Sequence, residues 1–378
     1  MQDPSAWVAG VRAATVTVTP LELANAVGQA SAPLIVDVRE REEVAQGIVA
    51  TAHWIPRGQL ESGIVALAPA GERRIVVYCE SGTRSALAAH TLRQMGYTAV
   101  ASLDGGIAAY RAAGLPLAQL TLINAAQLQR FARHVRLPLV GEAGQATLLA
   151  SRVLIVGLGG LGSPVAYYLA AAGVGTLGLV DHDIVDESNL QRQILHTSGR
   201  VGMAKVDSAE VALRELWPGI SICKHKTRLD ENNANALFAE YDLIVDCTDT
   251  FSARYLINDF AVSLGKRFVH GSVFQFEGQV IAVVPGETPC YRCVFPELPS
   301  VGFAPTCQEA GVFGVVPGVV GTIQANEVIK LLLNIGSPLT GRVLLYDSLS
   351  MSAQSLVVRR DPQCRTCGCM AAQKSCRH

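Results

Sequence analysis

Val153-Leu154-Ile155-Val156-Gly157-Leu158-Gly159-Gly160-Leu161-Gly162 is the stretch whose reading decides the fold. A short apolar run over Arg152 to Val156 breaks into a glycine-rich turn. Pro164 to Ala172 then reads as a helix, and Gly175 to Val180 as a second apolar run closed by Asp181. Val153 to Val180 contains no charged residue and is long enough to cross a bilayer. Seven glycines and Pro164 divide it, so it predicts a βαβ unit with strands buried on both faces rather than a membrane span. Glycines let a backbone approach phosphates at a helix N-terminus, and the acid after the second strand can accept bonds from ribose hydroxyls. Gly157, Gly159, Gly160, Gly162 and Asp181 are therefore candidate nucleotide ligands. The turn alone suits an NAD-dependent oxidoreductase equally well.

A basic pair further along the chain separates the two. Asn189-Leu190-Gln191-Arg192-Gln193 is succeeded by Lys205 on a predicted helix, Lys205 to Glu215. A dinucleotide needs no such basic pair, whereas Arg192 and Lys205 can neutralise charge building on the phosphates of a triphosphate being cleaved. Asp246-Cys247-Thr248-Asp249 ends the predicted strand Leu243 to Asp246, and Asp249 stands where a hard Mg²⁺ ion would take a carboxylate. Beyond it, Gly278 to Val284 reads as a strand in an antiparallel section and Ile323 to Leu333 as an amphipathic helix.

Two C-x-x-C pairs, Cys290/Cys293 and Cys364/Cys367, bracket the last part of the chain. Each turn can bring two thiolates to one ion, and together they predict a closed tetrahedral zinc site that clamps the C-terminus back onto the domain. Ordinary buried thiols or a redox pair are the alternatives. Cys223 and Cys247 read as core or strand residues, and Cys369 and Cys376 as thiols of a frayed tail.

The first third carries a second chemical site. Leu34 to Val38, Ile75 to Tyr78 and Val100 to Leu103 read as strands, Ser85 to Met95 as a helix and Asp104-Gly105-Gly106 as a turn, the pattern of a parallel α/β sheet. Cys79-Glu80-Ser81-Gly82-Thr83-Arg84-Ser85 lies between a buried strand and a helix. There a thiol faces backbone N–H groups and the positive helix end, which favours thiolate or an anionic persulfide. Arg84 adds a fork of donors for an anion. Asp37 and Arg39 are placed to brace the loop as an ion pair.

At 378 residues with 49 % hydrophobic composition, the chain is expected to form two packed domains. A net charge of −1 without a long basic run excludes a nucleic-acid footprint. Ten cysteines without a recognisable secretory signal over Met1 to Pro20 point to the reducing cytoplasm.

The Asp37-Val38-Arg39-Glu40 segment, the loop opened by Cys79 and closed by Arg84, and the turn at 104 to 106 resemble the rhodanese family over Thr15 to Leu117. The resemblance implies a sulfurtransferase carrying sulfur as a Cys79 persulfide. A Cys-to-Arg loop of this kind also occurs in tyrosine and dual-specificity phosphatases and, lengthened, in rhodanese-like phosphatases.

Gly-Leu-Gly-Gly-Leu-Gly at 157 to 162, Ser-Asn-Leu-Gln-Arg-Gln at 188 to 193, Asp-Cys-Thr-Asp at 246 to 249 and the two cysteine turns resemble the ubiquitin-activating-enzyme-like adenylyltransferases of the MoeB/ThiF group, over Ala126 to Gly368. That likeness implies Asp181 on ribose, Asn189, Arg192 and Lys205 on phosphates, Asp249 on magnesium and four cysteines on zinc. It also implies a homodimer in which Arg133 reaches the neighbouring subunit's ATP site. Cys307 lies where some relatives form a covalent acyl link with the carrier.

The chain is thus expected to be α/β throughout. A rhodanese-like parallel-sheet domain (15–118) and a linker (119–125) precede a Rossmann-like adenylyltransferase domain with a Cys₄ zinc site (126–370) and a tail (371–378). ATP with Mg²⁺ would adenylate the C-terminal Gly-Gly carboxylate of a small ubiquitin-like sulfur carrier. Cys79, charged by a cysteine desulfurase or thiosulfate, would then convert it to a thiocarboxylate. Molybdopterin synthesis is the expected destination, with thiamine, cysteine or tRNA thiolation as alternatives. No nucleic-acid or membrane partner is expected. The rhodanese unit precedes the adenylyltransferase here and follows it in better-known fusions, so their inter-domain geometry does not carry over.

Overall fold

The computed structural model describes residues 3–29, 31–68, 74–118, 122–297 and 310–368. The chain divides into two compact units, Met1–Thr121 and Leu122–His378.

In the first unit, β1 (Thr17–Val18), β2 (Leu34–Asp37), β4 (His53–Trp54), β5 (Ile75–Tyr78) and β6 (Val100–Leu103) form a parallel sheet in the order β1-β6-β5-β2-β4. β3 (Ile48–Val49) pairs antiparallel with β7 (Leu117–Ala118) beside it. β2 and β5 are buried along their whole length, as continuous apolar strands covered on both faces must be. The helix Thr83–Gln94 runs directly from the loop after β5. The helix Pro4–Ala14 has no counterpart in the sequence reading. Its start signal is nonetheless standard, since the Asp3 side chain accepts the Ser5 N–H and Pro4 opens the first turn.

The second unit is built on an eight-stranded sheet, β10-β9-β8-β11-β12-β13-β14-β15. Its strands are β8 (Arg152–Val156), β9 (Thr176–Val180), β10 (Ser221–His225), β11 (Leu243–Asp246), β12 (Arg267–Phe274), β13 (Glu277–Val283), β14 (Arg342–Asp347) and β15 (Ser352–Val357). The first five pair parallel, and β12 through β15 antiparallel. The β8–helix–β9 unit expected from the glycine turn is present, its helix spanning Gly162–Ala172.

The predicted helix at 323–333 is longer, Val315–Leu333. Pro317 and Gly318 obscure its start. Pro317 sits in the first turn, where its missing N–H has no intrahelical partner anyway. By length and apolarity this helix alone among the described residues could cross a membrane, but half of it is buried in the unit. Its Gly321 fits against the Leu161 carbonyl, which an added Cβ would meet at 2.5 Å.

Candidate functional site

In the first unit the chain leaves β5 at Tyr78 and enters the helix at Thr83 through a loop whose Gly82 has φ +92°. Cys79 Sγ accepts the N–H of Gly82 at 3.2 Å and of Ser85 at 3.4 Å, with the Ser85 hydroxyl 3.5 Å away. The loop's carbonyls point the other way: those of Cys79 and Glu80 accept the N–H groups of Ile107 and Ala108 at 2.9 and 3.0 Å. Gly106 is required for that approach, because a Cβ there would stand 2.5 Å from both oxygens. The hydrogen bonds to this sulfur thus come from the loop's donors, while the loop's carbonyls are turned away.

Asp37 and Arg39 do brace this loop. The fully buried pair meets at 2.8 Å, and the Arg39 guanidinium continues to Glu80 at 3.4 Å and to the Gly47 carbonyl at 2.7 Å. Glu43, which the sequence reading did not single out, takes both terminal nitrogens of Arg84 at 2.7 and 2.5 Å. That bond holds the Glu43 carboxyl at about 2.

In the second unit a cleft forms over the C-terminal ends of β8, β9 and β11, where ligands of open α/β sheets bind. Gly157, Gly159, Gly160, Asp181, Arg192, Lys205 and Asp249 all line it. Gly157 adopts φ +93° against the Cys247 carbonyl. Asp181 Oδ2 accepts the Leu158 N–H at 2.7 Å and Oδ1 the Asp183 N–H at 2.9 Å, which ties the acid to the turn. Lys205, 5 % exposed, reaches Asp183 at 2.9 Å. Burial opposes ionisation of Asp183, yet the bond and charge of Lys205 keep its carboxyl below the usual range. Asp249 is exposed and makes no hydrogen bond among the described residues, so its oxygens are open to a cation.

Three predicted residues stand apart from this lining. Gly162 packs on the turn itself, with a notional Cβ 2.0 Å from the Gly157 oxygen. Asn189 is half-buried, and its carbonyl accepts the N–H groups of Arg192 and Gln193. Arg133 is exposed on the short helix Ala132–Val135. Cys307 falls outside the described residues, as do Cys369 and Cys376. Sequence reasoning missed two buried residues of the lining, Gln193 and Arg254, whose Oε1 and Nε form no hydrogen bond. Gln193 lay within a quoted motif, whereas no local signal marks Arg254.

The four cysteines converge: one sulfur from each lies within 4.8 Å of the others. Cys290 and Cys364 are 3.6 Å apart, and Cys293 and Cys367 3.4 Å. Burial pushes the Cys293 thiol up to about 11 and Cys290 higher still, so as bare thiols they resist ionisation. A dication reverses that balance. The Asp361 N–H donates to Cys293 Sγ at 3.4 Å, the kind of outer bond that orients a thiolate ligand. The donor set fits a closed tetrahedral zinc ion.

Fold and sites together define an α/β enzyme with a nucleotide cleft, a four-cysteine knuckle and a separate thiol-bearing sheet unit. The chain belongs to the ThiF family, whose model matches residues 131–366, and carries a rhodanese-like domain over 19–113. It is 49 % identical over 247 residues to a sulfur carrier protein adenylyltransferase of Thermus thermophilus, covering 64 % of this chain and 91 % of that one. Against the SAMP-activating enzyme E1 of Haloferax volcanii the identity is 47 % over 246 residues, covering 65 % and 91 %. Against the probable adenylyltransferase/sulfurtransferase MoeZ of Mycobacterium tuberculosis it is 46 % over 241 residues, covering 62 % and 61 %. Among solved structures, Escherichia coli MccB with ATP shares the fold at a TM-score of 0.56 and 24 % identity, covering 66 % of this chain and 76 % of that chain.

Proposed function

We propose that this chain activates the C-terminal Gly-Gly carboxylate of a small ubiquitin-like sulfur carrier and converts it to a thiocarboxylate. The observation that carries the reading is the gathering of the glycine turn, Arg192, Lys205 and Asp249 in one cleft, in a chain that also holds Cys79 in a ring of donors. Its relatives named for sulfur-carrier adenylylation and for sulfurtransfer support it.

In the cleft, the carrier carboxylate attacks the α-phosphate of ATP and pyrophosphate leaves. Gly157, Gly159 and Gly160 admit the phosphates, and Asp181 takes the ribose. Arg192 and Lys205 balance phosphate charge, Asn189 offers a neutral hydrogen-bond donor to a phosphate, and Asp249 holds Mg²⁺. AMP is a far better leaving group than oxide. The Cys79 persulfide attacks the acyl carbon, AMP departs, and an acyl disulfide remains. A second thiolate then takes the Cys79-side sulfur and releases the thiocarboxylate. Cys307 is proposed as that thiol.

The four cysteines hold a structural zinc ion, since four thiolates leave no open position. A homodimer places Arg133 in the partner's cleft. The sulfur enters from a cysteine desulfurase or thiosulfate. Molybdopterin synthesis is the first pathway to test, with thiamine, cysteine and tRNA thiolation as the same chemistry on other carriers. The seven described cysteines form no disulfide, the state that a reducing cytoplasm maintains.

Incubation with ATP, magnesium, a sulfur donor and the carrier that co-purifies with the chain should replace one carrier oxygen by sulfur, read by intact mass. A carrier left unmodified, in protein that binds ATP, would reject the proposal.

A further inference from the structure

We propose that His270 and Tyr291 are positioning residues through which the zinc knuckle holds the magnesium-binding loop of the cleft. The inference rests on the adenylylation reading of that cleft and adds a dependence that reading does not contain.

Tyr291 lies inside the first cysteine turn, between Cys290 and Cys293. Its ring meets that of His270 edge-on, with centroids 4.7 Å apart. His270, on β12, donates from Nδ1 to Asp246 Oδ2 at 2.7 Å, and both residues are 1 % exposed. Asp246 Oδ1 accepts the Thr248 N–H at 3.0 Å and the Thr248 hydroxyl at 2.7 Å. Asp249, which faces the cleft, is the next residue.

The far side of the same loop rests on the knuckle too. Thr250 caps the helix Phe251–Ser263. On that helix Asn258 accepts the Tyr291 N–H at 2.9 Å, and Asp259 takes the Arg292 guanidinium at 2.6 and 2.7 Å. Thr366, from the second cysteine turn, donates to Asp259 at 2.8 Å. Both cysteine turns thus touch the element that leaves the loop, and the first reaches the element that enters it through His270 of the neighbouring strand β12.

A polar pair this deep is needless for packing. Low local dielectric strengthens the bonds that Asp246 accepts. His270 Nε2 has no hydrogen-bond partner among the described residues, so the ring is held by its Nδ1 bond and by Tyr291, and the outlet is the backbone of Thr248. With zinc bound, Tyr291 presses on a fixed His270 and the Asp249 carboxylate keeps one placement. With the network cut, Asp249 remains in the cleft but wanders.

The test uses full-length zinc-loaded protein and its His270→Ala, His270→Gln and Tyr291→Leu variants. Zinc is measured by elemental analysis, and ATP binding by calorimetry across a magnesium series and in its absence. His270→Ala should keep its zinc and its magnesium-free ATP affinity. The magnesium concentration for half-maximal binding should rise by about tenfold, as for other partners that orient a metal ligand. His270→Gln, which can still donate to Asp246, should recover most of the shift. Tyr291→Leu should shift in the same sense and serves if His270→Ala does not fold. Unshifted magnesium dependence in folded, zinc-containing variants would overturn the inference alone. So would an equal loss without magnesium, which marks general collapse of the cleft. Wild-type protein that binds no magnesium nucleotide would overturn the reading of the cleft and this inference with it.

Discussion

The Arg84 guanidinium donates to both oxygens of the Glu43 carboxylate, two bonds of 2.7 and 2.5 Å joining residues 41 positions apart. Arg84 closes the loop that Cys79 opens, so the cation of that loop already has a partner. The neighbouring guanidiniums are similarly engaged: Arg39 by Asp37 and Glu80, and Arg111 by Glu80 at 3.3 Å.

A dianionic donor such as thiosulfate must therefore compete with Glu43 for Arg84. Glu43→Gln should raise kcat/KM for thiosulfate by about threefold, a modest factor because the pair is partly exposed and screened. Loading from a low-molecular persulfide should change less. Steady-state sulfur transfer to cyanide from each donor measures the ratio, and an unchanged ratio would assign Glu43 a purely structural role.

Glu43 also marks the limit of what the sequence reveals. The glycine turn and the loop opened by Cys79 are legible because strand, turn and helix are contiguous, and local chemistry fixes them. The C-x-x-C turns are legible because metal geometry fixes their spacing. Glu43 with Arg84, and Asp246 with His270, come together only through pairing of β2 with β5 and of β11 with β12. No period or spacing announces such contacts. The long helix shows the opposite error. Gly321 reads as a weak helix residue, yet it is there because the Leu161 carbonyl and Pro164 leave no space for a Cβ.

Stoichiometric zinc is expected in freshly purified protein. Cys367→Ser should lose it and expose the region after β15 to protease, because Cys364 and Cys367 tie that region to Cys290 and Cys293. Elemental analysis with limited proteolysis checks both. Zinc-free wild-type protein of equal resistance would remove the structural role.

Arg133 is exposed and stands apart from the lining of its own cleft, so a role there requires a second subunit. Arg133→Ala and Asp249→Ala should each be inactive in carrier-dependent ATP–pyrophosphate exchange. After subunit exchange, an equal mixture should recover about a quarter of wild-type activity: half the dimers are mixed, and each has one intact site. An active monomer, or full activity of Arg133→Ala, would contradict the composite site.

Stability of the second unit should fall as the pH drops below neutrality. His196 bridges Ser208 and the Leu158 carbonyl at 2.9 and 3.0 Å, and His270 bonds Asp246. Burial holds both imidazoles below the ordinary value of 6.5. Below that value the unfolded chain takes up protons that the folded chain refuses, so stability is complete above it and declines beneath it. The slope approaches about 1.4 kcal/mol per pH unit for each histidine. Urea unfolding at pH 7.5, 6.0 and 5.0, with zinc content verified, should show the decline, and His270→Gln should flatten it. A flat profile in wild-type protein would mean that these histidines take up protons as readily in the fold as in the unfolded chain.

The two chemistries should separate and then complement. Cys79→Ala should keep carrier-dependent exchange and lose sulfur transfer to cyanide, and Asp249→Ala should do the reverse. How sulfur crosses is then a question of reach. Leu117–Ala118 ends the first unit's last strand, while the N–H groups of Leu122 and Ile123 are held by Glu142 in the second at 2.7 and 3.2 Å. A flexible Gly-Gly tail on a diffusing carrier can visit a site on either unit, of the same chain or of another. We expect the tail to travel. Mixing Cys79→Ala with Asp249→Ala protein should restore thiocarboxylate formation, and the yield should rise with carrier concentration because the carrier must visit two molecules. Failure of rescue, with each variant folded and retaining its own half-reaction, would instead require a handover confined to one chain.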